Sequence, residues 1–120
     1  MRKANPYRPQ SGPAVIGLAG RESERMLAKD LGGRLRPASG AMEGAKGDIV
    51  LPDILVEAKS TTGKQIALKH QWLGKIAHEA RNEGRRAALT ISFVTGDGRP
   101  VLDGEWVLIP LQRFKEIEGL

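Results

Sequence analysis

The stretch Asp48–Lys59 constrains the fold more than any other part of the chain, because it has the pattern of a β-hairpin. It reads DIVLPDILVEAK, so two apolar runs flank Pro52-Asp53, and proline presets the φ angle of a turn. If the strands pair symmetrically about that turn, Asp48 faces Glu57. Cross-strand partners project from one face of a sheet with Cβ atoms about 5 Å apart. The stretch therefore predicts two carboxylates at one spot.

Lys59 lies two residues beyond Glu57 and shares its face, because side chains alternate along a strand. Two neighbouring carboxylates repel each other unless a cation lies between them. A hard, oxygen-seeking cation such as Mg²⁺ suits such a gap. The loop length stays open at this point, since proline cannot supply the positive φ of the tightest hairpin turns and a wider loop would change the register.

Length and composition indicate one compact domain. The chain has 120 residues, of which 40% are hydrophobic, and it contains no cysteine. Disulfides and thiolate metal sites are excluded, which favours a reducing compartment. There is no apolar run long enough for a membrane span and no signal-peptide pattern, so we expect a cytoplasmic protein without membrane contacts. We interpret residues 1–13 as a flexible basic arm and residues 14–120 as a single domain.

The positive charge is concentrated near the start of the chain. Residues 1–36 hold eight Lys or Arg against three acids, which accounts for the whole net charge of +5. A basic segment of this kind is typical of proteins that bind a polyanion such as DNA. A solvated basic surface without a partner explains the same charge.

Hydrophobic periodicity and turn residues predict the order α-β-β-β-α-β-β-α, a mixed β-sheet flanked by helices in the α/β class. In the C-terminal helix, Leu111, Phe114 and Ile117 are expected to pack inward. The predicted elements are a helix over 21–31 that ends at Gly32-Gly33, a strand at 34–37, the hairpin over 47–59, a helix over 66–83, strands at 87–94 and 105–109, and a helix over 111–117.

Several single residues have two interpretations. Glu24 heads the apolar stripe of the first helix, where it points to the interior or a cleft, yet an acid near a helix N-terminus is also favoured by the helix dipole. Ser39 is either a phosphate-binding hydroxyl or a turn residue. Trp72 is interpreted as core, and His70 and His78 as surface residues, since neither has a partner at zinc-like spacing.

Taken together, Glu24, Asp48, Glu57-x-Lys59 and Gln71 resemble the motif set of the PD-(D/E)xK nuclease superfamily. The chain is most similar to the archaeal-type Holliday junction resolvases, including phage-encoded ones, over about residues 15–95. The matching segments are Glu24-Arg25 with Leu31, Pro37-Ala38-Ser39-Gly40, Val56-Glu57-Ala58-Lys59-Ser60, and His70-Gln71-Trp72 through Ala80-Arg81.

The resemblance implies a Mg²⁺-dependent DNA endonuclease, with Mn²⁺ as a substitute, that cuts four-way junctions as a homodimer in the cytoplasm, or in the host cytoplasm if it is phage-encoded. Asp48, Glu57 and the backbone carbonyl of Ala58 would hold the metal, and Glu24 could bind a second metal or a metal-bound water. Lys59 and Gln71 would complete the catalytic set. The residues expected at DNA are Arg25, Arg34, Arg36, Ser39, Lys64 and Lys69.

The chain departs from the family pattern in its hairpin, which has nine residues from Asp48 to Glu57. Asp53, the acid of the literal Pro-Asp pair, would lie about 13 Å from Glu57 at the usual strand rise, too far to share a metal. Trp106, Leu108 and Phe114 are candidates either for a dimer interface or for the core. The alternative functions are another DNA nuclease of the same fold, such as a nicking, repair or restriction-like enzyme, and a nucleic-acid-binding module without catalysis.

Overall fold

The computed structural model describes residues 13–36 and 48–120 of the chain, with side chains from residue 19. These residues form three helices and five strands, and the predicted α/β class and element order are confirmed. The elements are α1 (Pro13–Leu31), β1 (Arg34–Arg36), β2 (Asp48–Val50), β3 (Ile54–Thr61), α2 (His70–Asn82), β4 (Arg86–Val94), β5 (Pro100–Leu108) and α3 (Leu111–Glu118).

All five strands form one mixed sheet in the order β1-β2-β3-β4-β5. Only β3 and β4 run parallel, because α2 crosses between them, and the other neighbours are antiparallel. The β2–β3 hairpin is closed by the Leu51 N–H, which donates to the Ile54 carbonyl at 2.9 Å. Pro52-Asp53 is therefore a two-residue connection, and the symmetric register holds.

The two long helices cover opposite faces of the sheet. Leu27 and Ala28 of α1 pack with Ile49 and Val56, whereas α2 packs on the residues that alternate with them along β2 and β3. The second contact is made by Ile76 and Ala80 against Val50 and Leu55. The end of α1 is tightly seated, because a Cβ at Gly33 would lie 2.6 Å from the Ile49 side chain.

Both long helices start at other residues than the periodicity indicates. α1 begins at Pro13 rather than at residue 21, since proline is well suited to the first turn of a helix. α2 begins only at His70, because Lys69 is extended, with φ −105° and ψ 130°. The apolar Leu68 in front of it is exposed, so burial does not support an earlier start.

The prediction for the C-terminal region is wrong in two respects. β5 starts at Pro100, five residues before the predicted strand. α3 forms as predicted but does not pack inward, and it contributes no buried residue. Trp106 and Phe114 are likewise exposed rather than core. The predicted arm up to residue 12 and the loop with Ser39 lie outside the described residues.

Candidate metal centre

The hairpin register brings two acids side by side on the face that α2 covers. Asp48 is the cross-strand partner of Glu57, as the symmetric turn predicts. α2 adds a third acid, Glu79, and the three side chains each place a carboxylate oxygen within 4.8 Å of the other two. Three oxygen ligands at this spacing could hold a metal ion, and hard divalent cations prefer such ligands.

Glu57 is the most buried member of this carboxylate cluster. Its side chain is 8% exposed, and Oε2 lies 3.1 Å from Nζ of Lys59. The other oxygen, Oε1, is buried without a hydrogen-bond partner, and so is Oε1 of Glu79. Buried carboxylate oxygens are costly unless a donor or a cation satisfies them. A bound cation would satisfy both.

Burial sets the protonation chemistry of the other two acids. The pKa of Asp48 is raised above its ordinary value by burial and further by Glu57, although a hydrogen bond from Arg36 opposes the shift. The pKa of Glu79 is also raised, first by burial and then by the charges of Asp48 and Glu57. The folded chain therefore disfavours the fully ionised cluster, and a cation would relieve this.

The raised pKa values predict an unusual pH dependence of stability without metal. A folded state that binds protons more tightly than the unfolded chain gains stability as pH falls through the raised pKa values. We expect the melting temperature of the metal-free wild type to rise relative to that of Glu79→Gln as the pH falls from neutral toward the ordinary pKa of a glutamate. With Mg²⁺ present, the pH trend should be the opposite. The melting temperature of the wild type should then fall relative to that of the variant as the pH falls, because protons compete with Mg²⁺ for the same oxygens. If the melting temperatures of the wild type and of the variant change with pH in parallel, the prediction is contradicted.

An ion-pair chain extends from the cluster along the sheet edge. Arg36, the partner of Asp48 across β1 and β2, lies 3.2 Å from the Asp48 carboxylate and 2.8 Å from that of Glu83. Arg85 binds Glu83 as well and donates from Nε to the Leu51 carbonyl at the hairpin turn. Arg36, expected from the resemblance to contact phosphates, is thus engaged with acids and holds Asp48 in place.

Trp72 connects Lys59 to the start of α2. Nζ of Lys59 lies over the indole ring, 4.5 Å from its centroid, and Nζ of Lys69 lies 5.9 Å from it. The ring is half-buried and attracts both cations through its π face. Trp72 was expected in the core, but its contacts give it a second role, which is to hold Lys59 beside Glu57.

The remaining candidates are spread over the surface and the opposite face. Glu24 is buried on α1, across the sheet from α2, and does not belong to the carboxylate cluster. Gln71 is exposed in the first turn of α2, two turns or about 12 Å before Glu79. The remaining exposed candidates are Arg25, which pairs with Glu22 at 2.7 Å, Arg34, Lys64 and Lys69.

Glu79 was not predicted from the sequence. It lies eight residues after Gln71 and four after Lys75, so the three side chains follow one line along α2. Glu79, at the end of this line, faces the hairpin acids, whereas Ile76 and Ala80 face the sheet. The spacing from Gln71 was the available signal, but only the packing of α2 shows where the line points.

Comparison with known proteins identified no relative of this chain. The chain matches no model of a known protein family, no curated protein and no solved structure. Within the described residues, no helix has the length and apolarity to cross a membrane.

Proposed function

We propose that this chain is a metal-dependent endonuclease of the PD-(D/E)xK type that cuts branched DNA, with four-way junctions as substrate. The observation that carries the proposal is the carboxylate cluster with Lys59 at its side. Asp48 and Glu57 occupy the hairpin positions that the resemblance assigns to metal ligands. A lysine two residues after the second acid completes the motif.

Asp48, Glu57 and Glu79 would hold Mg²⁺ or Mn²⁺. The metal would supply charge neutralisation at the phosphate and an activated water. The protein residues then position the reactants. Lys59 lies where its ammonium group can orient the water or stabilise negative charge on the phosphorus centre. Gln71 is exposed in the first turn of α2, next to Trp72 and about 12 Å along the helix from Glu79, so its amide would contact the DNA strand beside the carboxylate cluster rather than the activated water.

Binding to DNA is supported by the charge of the chain. The net charge of +5 originates in residues 1–36, and Arg34 is exposed on β1, the strand next to the hairpin. Lys64 and Lys69 are exposed in the segment between β3 and α2. These exposed cations on β1 and before α2 would bind a phosphodiester backbone, with an affinity that falls steeply as salt rises.

The direct test is a cleavage assay on matched substrates. The protein is incubated with a four-way junction, the corresponding duplexes and single strands, with Mg²⁺ or with EDTA. We expect paired, symmetric nicks confined to the junction and dependent on Mg²⁺. Equal cutting of plain duplex would favour a different nuclease of this fold. Junction binding without metal-dependent cutting would favour a binding module without catalysis.

The contact between Lys59 and Trp72 gives a further prediction. Trp72→Leu removes the π face but keeps an apolar side chain, so we expect kcat on the junction to fall about fivefold, on the scale of one cation–π contact. Trp72→Phe should recover most of the rate. Junction affinity measured in EDTA should stay unchanged, which separates positioning of Lys59 from DNA binding. Equal rates for the leucine variant and the wild type would exclude this role for the ring.

A further inference from the structure

Glu83, at the end of α2, lies between two arginines from separate parts of the chain. One is Arg36 of β1, whose two terminal nitrogens lie 3.0 and 2.8 Å from the two carboxylate oxygens of Glu83. The other is Arg85, whose Nη1 binds Oε1 of Glu83. Exposed ion pairs usually contribute little to stability, but a forked arginine–carboxylate pair within a network of charges is the exception. Glu83 therefore fixes the place of the Arg36 guanidinium.

The backbone that carries Glu83 is fixed independently of its side chain. The turn that ends α2 is closed by the Arg85 N–H, which donates to the Ala80 carbonyl at 2.8 Å. The next N–H, that of Arg86, donates to the Asp53 carbonyl at 2.8 Å and ties this turn to the hairpin. Loss of the Glu83 carboxylate would therefore release Arg36 but leave the end of α2 in place.

Arg36 shares its positive charge between Glu83 and Asp48. Both of its terminal nitrogens contact Glu83, whereas only Nη2 reaches the Asp48 carboxylate, at 3.2 Å. The hydrogen bond to Glu83 is also the first cause of the raised pKa of Arg36, ahead of the bond to Asp48. Glu83 is thus the stronger partner of Arg36, and Asp48 is only partly neutralised.

A metal ion on Asp48 competes with Arg36 for the same carboxylate. A guanidinium that binds a carboxylate through both nitrogens occupies both oxygens, and its charge repels a divalent cation. By holding the guanidinium toward the end of α2, Glu83 limits this competition. The position of Arg36 therefore decides how much of the Asp48 charge is available to a metal.

We propose that Glu83 is a positioning residue of the metal centre, which holds Arg36 at the edge of Asp48 and so keeps that carboxylate available to a divalent cation. Glu83 lies outside the carboxylate cluster, so it acts through Arg36 and not as a ligand. This role rests on the metal centre of the proposed function but not on the cleavage of DNA.

Titration calorimetry with Mg²⁺, without DNA, tests this role on the two single variants and their combination. Glu83→Gln releases Arg36 to bind Asp48 through both nitrogens, so we expect Mg²⁺ affinity to fall about tenfold, the scale of one charge-assisted hydrogen bond. Arg36→Gln keeps an N–H donor for Asp48 but removes the competing charge, so we expect Mg²⁺ affinity to rise about threefold.

The double variant separates positioning from a structural role. With Arg36→Gln present, no guanidinium is left to compete, so adding Glu83→Gln should change Mg²⁺ affinity by less than about twofold. The double variant should therefore bind Mg²⁺ more tightly than Glu83→Gln alone. If Glu83 only stabilised the end of α2, or attracted the ion by its own charge, its loss would weaken binding equally with and without Arg36.

Glu22→Gln is the matched control. Glu22 pairs with Arg25 at 2.7 Å and is 35% exposed, against 28% for Glu83, but it lies on α1, on the other face of the sheet. Its substitution should leave Mg²⁺ affinity unchanged. Equal affinities for the wild type and Glu83→Gln, an equal loss with and without Arg36, or a wild type that binds no Mg²⁺ would overturn the proposal. A protein that shows the rescue but cuts no DNA would refute only the proposed function.

Discussion

Asp48→Asn should abolish junction cleavage while junction binding is retained. The substitution removes one charged oxygen from the carboxylate cluster and leaves the size of the side chain almost unchanged. Loss of a metal ligand costs several kcal/mol of transition-state stabilisation, so we expect the cleavage rate to fall roughly a thousandfold or more. Binding in EDTA, measured by fluorescence anisotropy, should change less than about threefold, since DNA affinity rests on Lys and Arg contacts to phosphates.

Asp53→Asn is the control for this experiment. Asp53 is the acid of the literal Pro-Asp pair, but it is exposed in the turn, whereas the paired register puts Asp48 opposite Glu57. The Asp53 variant should therefore cut at nearly the wild-type rate. If Asp53→Asn is the inactive variant and Asp48→Asn is active, the hairpin acid has been assigned to the wrong residue.

Glu79→Gln should weaken metal binding at least tenfold, because it removes one of three clustered carboxylates. Titration calorimetry with Mg²⁺ or Mn²⁺, without DNA, measures this directly, and cleavage should fall in parallel when the metal is limiting. Without metal and at neutral pH, the same variant should melt at a higher temperature than the wild type, since it removes the negative charge whose burial and repulsion from Asp48 and Glu57 raise the pKa of Glu79. Weaker metal binding together with a more stable apo protein is the signature of a ligand rather than of a structural residue.

Glu24→Gln is the variant to compare with Glu79→Gln in the metal titration. Glu24 is the acid that the resemblance names on the first helix, yet α1 packs on the other face of the sheet. We expect its substitution to leave Mg²⁺ affinity within about twofold, well below the loss expected when a clustered carboxylate is removed. If Glu24→Gln weakens binding and Glu79→Gln does not, the ligand set follows the resemblance rather than the cluster.

The hairpin could be predicted because its determinants are local. A proline turn between two apolar runs sets the centre of symmetry, and the two-residue period of a strand then pairs Asp48 with Glu57 and puts Lys59 on their face. Helix termini were less predictable. The start of α2 depends on whether Leu68 packs against another part of the chain. Leu68 is exposed, and α2 begins only at His70.

Sequence alone thus determines two of the three carboxylates, the lysine beside them and the α/β class, because turn chemistry and strand periodicity act over a few residues. Glu79, the contact of Lys59 with Trp72 and the exposure of α3 were decided only by tertiary structure. Each depends on where a helix lies relative to the sheet, which results from packing between segments far apart in the chain. The hairpin places the first two acids, and the packing of α2 adds the third.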